Sequence, residues 1–241
     1  KILVLGAGPV VIGSSSEYDY SAVSVCRALK EEGISVVSVN SNPDTIMTDK
    51  NVADTVYIEP LNGETVKKII EKEIPDAIIG TTGGEAGLEI CLELLQNGYL
   101  DEHGTKLLGI KPETIKAIRN EQALRDTLEN VGEPYVSAKV LPTDAECVTF
   151  AGEIGFPVLI SPAFTPDFSE PIRCENADDI LSGFGSCAER SLVNEVYVRK
   201  CVDDYKEVEF VAMRDSFGNC ISVSSTENID SVGIHSGDSI V

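Results

Sequence analysis

Gly6, Gly8 and Gly13 stand in the opening stretch KILVLGAGPVVIGSSSEYDYS, between an apolar run and a helix-like pattern. A glycine-rich turn ahead of a helix can bring backbone N–H groups onto a phosphate, so nucleotide binding is the first chemistry to weigh. The dinucleotide fingerprint needs GxGxxG and, at the end of the next strand, an Asp or Glu for a ribose hydroxyl. Here the glycines run GxGxxxxG, and the next strand-like run, SVVSVN, ends in Asn40. A structural β–α turn is expected, without NAD or FAD. The other reactive groups are sparse. The two histidines are His103 and His235, and the seven cysteines lie scattered at 26, 91, 147, 174, 187, 201 and 220 with no CxxC pair. No zinc site is expected, and free thiols in a reducing cytoplasm are.

These residues need a scaffold, and 241 residues suffice for two domains with separate cores. The hydrophobic content of 42% and charged content of 24% are those of a globular protein. The longest apolar run, Ile2 to Gly13, is too short and too broken for a membrane helix. It reads as a first strand and not as a signal peptide. The net charge of −21, from 19 basic and 40 acidic residues, repels nucleic acid and anionic membranes. It also means that a polyphosphate needs local positive charge.

Through residue 110 strand and helix signals alternate. ILVL, SVVSV, TVYI, DAIIG and KLLGI read as buried parallel strands. Between them, Ala22, Cys26 and Leu29 fall at helical spacing ahead of a capping Gly33; Val66, Ile69 and Ile70 do likewise, with Glu64–Lys68 as an i,i+4 pair. Leu88, Leu92 and Leu95 form a third stripe, expected to face the core. Such alternation implies a doubly wound, mostly parallel α/β sheet over residues 1–112. From 113 to 241 the pattern becomes α+β. Two short helices precede Pro134, a Thr143–Glu146 capping box opens another, and NEVYVRKCV, EVEFVAMRD and NCISVSST read as long strands. Ser216-Phe217-Gly218-Asn219 marks a hairpin between the last two.

The segments GAGPVVIG, EYDYS, VNSNPDTIMTD, YIEP, GTTGGEAGLE, GFPVLI and GIHSGDSI resemble the large chain of carbamoyl-phosphate synthetase, in its carboxyphosphate-forming half. The resemblance runs along the whole chain and implies a preATP-grasp α/β domain followed by part of an ATP-grasp domain. It makes the glycine turn a domain-contact element, not the ATP cradle. It implies an ATP- and magnesium-dependent ligase of pyrimidine and arginine biosynthesis that phosphorylates bicarbonate and takes ammonia from a glutaminase small chain. Glu207 in YKEVEF matches the residue that touches the ribose hydroxyls, and Gly233, Ile234 and His235 match residues beside the phosphates.

The sequence departs from the family where the phosphates are gripped. Ser161 stands at the position of an Arg before Pro-Ser-Phe, and no glycine lies between Ala163 and Ile172, where the family has a glycine loop. Asp167, Glu170 and Glu121 add negative charge, Glu121 at what reads as a second Arg position, and Lys200 replaces the acidic residue at the adenine edge. The family's metal-binding Gln, Glu and Asn fall beyond Val241. No catalytic residue, metal ligand or cofactor is therefore assigned to this chain alone. Three readings stay open: a split ligase completed by another chain, a non-catalytic paralogue, and a module for some other small ligand. A homodimer or a complementing synthetase chain is expected, through a strand around Ser239–Val241 that lacks its usual neighbours.

Overall fold

The computed structural model describes residues 1–10, 17–118, 121–163, 171–191, 193–230, 232, 240 and 241. Two compact units divide the chain: residues 1–124 with 207–241, and residues 125–206.

In the first unit five parallel strands run in the order β3-β2-β1-β4-β5: β1 (Ile2–Leu5), β2 (Val36–Asn40), β3 (Thr55–Ile58), β4 (Ala77–Ile79) and β5 (Lys106–Leu108). Alternate β1 side chains serve opposite faces of the sheet. Leu3 and Leu5 pack with Val66, Ile69 and Ile70 of α2 (Gly63–Glu73) and with Ile90, Cys91 and Leu94 of α3 (Gly84–Gln96). Ile2 and Val4 pack with Ala22, Val23 and Cys26 of α1 (Glu17–Glu31). Helices on both faces make the sheet doubly wound, and Gly33 ends α1 at φ +74°.

Three expectations are corrected here. Strands β3 and β5 are half-buried to exposed and not buried, because each lies at an edge of the sheet. The fully buried face of α3 is Gly87, Ile90, Cys91 and Leu94, while Leu88, Leu92 and Leu95 flank it half-buried. The cause is a backbone approach: a Cβ on Gly87 would sit well inside contact distance of the Gly80 carbonyl oxygen, so that side of the helix must face inward. The Glu64–Lys68 pair is not among the ion pairs of the described residues; instead Lys67 reaches Glu93 of α3 at 3.7 Å. Short α4 (Tyr99–Glu102) and α5 (Pro112–Ile118) complete this part, and α6 (Glu121–Val131) follows.

The second unit holds an antiparallel sheet in the order β6-β9-β7-β8: β6 (Ala138–Leu141), β7 (Val158–Pro162), β8 (Ile172–Cys174) and β9 (Val196–Lys200). Val158, Ile160, Val196 and Val198 are buried with Cys147 and Ala151 of α7 (Asp144–Ile154) and Ile180 and Cys187 of α8 (Ala177–Arg190). Thr143 caps α7 by accepting the Glu146 N–H at 3.3 Å. The last strands, β10 (Val208–Arg214) and β11 (Cys220–Glu227), pair as a hairpin whose turn is held by Asp215, which accepts the N–H groups of Phe217 and Asn219, each at 2.9 Å. Ile240 and Val241 lie in no strand, and Ile229 donates to the Ile240 carbonyl at 2.8 Å. The expected open strand around Ser239–Val241 is therefore not seen at its two described residues.

Candidate functional site

The sheet order reverses between β1 and β4, and in an open α/β sheet this is where a ligand crevice forms. Here the described groups around it bond to one another. Buried Asn40, which replaces the ribose-binding acid, accepts the N–H groups of Gly8 (3.1 Å) and Asn42 (3.0 Å). Gly8 thereby spends the donor that a phosphate would need. From the other side Thr82 donates to the Leu5 carbonyl at 2.8 Å, and a Cβ on Gly83 would lie 3.0 Å from the Gly6 oxygen. At Gly6 and Gly8 the turn closes on protein; Gly13 lies outside the described residues. Calorimetric titration with NAD to about 1 mM is expected to show no saturable heat. Micromolar affinity would overturn this assignment.

The open face of the antiparallel sheet carries Ser161, one of the positions at which the sequence departs from its resemblance. Strand alternation turns Leu159 and Ser161 of β7, and Tyr197 and Arg199 of β9, away from the helices. Ser161 pairs with Tyr197 and Leu159 with Arg199, so Arg199 is the diagonal neighbour of Ser161. This guanidinium was missed in the sequence, although the alternation in VYVRK carries the signal. Lys200, half-buried at the end of β9, donates from Nζ to the carbonyls of Gly155 (2.8 Å) and Phe156 (3.3 Å). A cavity of about 370 Å³ between β6 and α7, lined by Lys139, Glu146, Phe150 and Glu153, contains none of the expected site residues.

Glu207 directly precedes β10, and its carbonyl accepts the Asn228 N–H at 2.9 Å. Its carboxylate accepts from the Asn228 side-chain amide at 3.0 Å. The backbone places this pair at the open end of the hairpin. Gly233, Ile234 and His235 lie outside the described residues, as do Asp167, Glu170 and the side chain of Glu121. Among the described residues no group of three or more His, Cys, Asp or Glu side chains is placed to hold a metal ion. All seven cysteines are unpaired and all but Cys220 are buried. Burial pushes the Cys147 thiol up to about 12 and that of Cys174 up to about 11, so both are neutral packing groups and not nucleophiles. No helix of the described residues is long and apolar enough to cross a membrane.

Comparison with known proteins agrees in sequence and in fold. A family model described as carbamoyl phosphate synthase preATP-grasp domain matches residues 1–117. A second, carbamoyl-phosphate synthase L chain, ATP binding domain, matches residues 120–241. Carbamoyl phosphate synthase large chains from Agathobacter rectalis and Lachnoclostridium phytofermentans are 48% and 46% identical over the whole of this chain. The chain spans 23% of the length of each. In fold it is similar to the biotin carboxylase domain of Hydrogenobacter thermophilus 2-oxoglutarate carboxylase, solved with MgADP, ADP and bicarbonate. That match has a TM-score of 0.70 at 20% identity, over 93% of this chain and 49% of that one. Campylobacter jejuni biotin carboxylase gives 0.69 at 20% identity, over 93% of this chain and 50% of that one. The doubly wound sheet, the antiparallel second part and the matched length together make this chain a member of the carbamoyl phosphate synthase large chain family, with a preATP-grasp domain followed by sequence of the ATP-binding domain.

Proposed function

We propose that this chain derives from the bicarbonate-phosphorylating half of a carbamoyl phosphate synthase, keeps a ribose contact at Glu207, and has lost most of its grip on the phosphates. By itself it does not turn over ATP. The observation that carries this reading is Ser161: a neutral hydroxyl on the open face of β7, where the resemblance puts a guanidinium. A hydroxyl cannot neutralise a transferring phosphoryl group, whose catalysis rests on positioned cations and backbone donors. Asp167 and Glu170 in the neighbouring sequence add repulsion. The described residues hold no group of three or more metal-ligating side chains, and no chemistry through magnesium is assigned to them.

Lys200 favours a second reading, a non-catalytic module that binds or regulates. An ammonium offers three donors and no acceptor, so it cannot receive the adenine amino group as a carboxylate would. Its protons already bind two carbonyls, which ties it to the scaffold. A reducing, cytoplasmic setting fits seven unpaired thiols. A second copy, a complementing synthetase chain and a glutaminase small chain remain the proposed partners. The purified chain, titrated with ATP and magnesium, is expected to bind more weakly than about 1 mM and to release no ADP on adding bicarbonate. Submillimolar binding with turnover would restore the working ligase.

A further inference from the structure

We infer that Asn228 is a positioning residue for the ribose contact, holding Glu207 and Glu209 side by side through one side-chain amide. The inference rests on the reading of Glu207 as that contact. Asn228 follows β11 directly and stands opposite Glu207, one step beyond the Val208–Glu227 pair. In an antiparallel ladder the opposite residue and its diagonal neighbour share a face, so Glu207 and Glu209 both come within its reach. The amide nitrogen donates to Glu207 at 3.0 Å and to Glu209 at 2.9 Å. Its orientation follows from its neighbours: two carboxylates accept only, so the NH2 end must face them. Asn228 is only 7% exposed, which commits the amide to these partners.

Two like charges on one strand face repel, and the shared amide nitrogen sets them 3.0 and 2.9 Å from a single donor group. A buried donor between them holds both in a fixed geometry, and removes part of the ordering cost that a weakly bound ribose would bear. A merely structural Asn would leave recognition of the hydroxyls unchanged. The test compares adenosine with 2′,3′-dideoxyadenosine, each titrated to about 10 mM against the purified chain by NMR. The wild type is expected to prefer adenosine about tenfold, the size of one charge-assisted hydrogen bond.

Glu207→Ala should bring that ratio to one, and Asn228→Ala should reduce it to about two- or threefold with the overall spectrum preserved. Asn228→Leu keeps a similar volume but removes the donor, and should behave like Asn228→Ala. On the wild type, adenosine should shift the Asn228 side-chain amide resonances more than dideoxyadenosine does, a readout independent of any variant's folding. A ratio untouched by Glu207→Ala, or no adenosine binding at all, overturns the ribose reading and this inference with it. A ratio lost with Glu207→Ala but unchanged in the Asn228 variants, or an Asn228 amide indifferent to the ribose hydroxyls, overturns the positioning role alone.

Discussion

Gly87→Ala and Gly152→Ala, the same change in two helices, are expected to move stability in opposite directions. Helix propensity alone favours Ala at both sites by up to about 1 kcal/mol. In α7, a Cβ at Gly152 would meet nothing within 4 Å, so that gain should be realised. In α3, a Cβ at Gly87 would collide with the Gly80 carbonyl oxygen, while a Cβ on Gly80 would reach the Gly87 oxygen at 2.9 Å. Both obstacles are backbone, which cannot swing aside as a side-chain end can. Overpacking of this kind costs about 1–3 kcal/mol, occasionally more, and exceeds the propensity gain. Because α3 covers Leu3, Leu5 and Ile78, its displacement would open the core of the first unit. Calorimetric melting should show the first unit's transition lowered by about 5–10 °C in Gly87→Ala. The second unit's transition should rise by a few degrees in Gly152→Ala. A raised first transition in Gly87→Ala would refute the packing account.

What could be read from the sequence followed the strength of local signals. Four-residue and longer apolar runs, the Gly33 cap, the Thr143 cap and the hairpin turn each have a local physical cause, and each stands where it was expected. In the α3 stripe Leu95 packs half-buried against the core as expected, but Leu88 and Leu92 only flank the buried set, which satisfies helical spacing equally well. Only the approach of Gly80 decides between them, and that contact is tertiary. The strand β8 escaped notice, being three residues long with Arg173 at its centre. Arg173 owes its place to the groups around it: it donates to Glu175 at 2.7 Å and pairs with Asp203. The proposed site rests on family positions, and its geometry was not legible in the sequence. Glu207 could be named from YKEVEF, whereas Asn228 reads as an ordinary turn residue until the β10–β11 register sets it opposite. Arg199 likewise acquires meaning only when its strand partner is known.

Ser161→Arg should raise affinity for ATP by about tenfold to a hundredfold while leaving adenosine affinity unchanged, since a charged hydrogen bond contributes on the order of 1.5–3 kcal/mol. The fold should accept the substitution. Ser161 lies on the half-exposed face of β7 between buried Ile160 and Pro162, so a longer side chain there extends away from α7 and α8. Its cross-strand partner Tyr197 and diagonal neighbour Arg199 flank it. Two guanidiniums at diagonal spacing repel, but near the surface salt and solvent reduce that cost. A polyphosphate between them turns the repulsion into shared attraction. Selectivity for ATP over adenosine is the decisive readout, because a general change in stability or charge cannot reproduce it with a single added cation. Raising the salt concentration should erode the gain, as expected of a partly exposed ion pair. Turnover should remain absent, since one restored cation does not supply the backbone donors of the family's glycine loop. Equal gains for ATP and adenosine, or none for either, would show that Ser161 does not face the phosphates, and the degraded-clamp reading would fall with it.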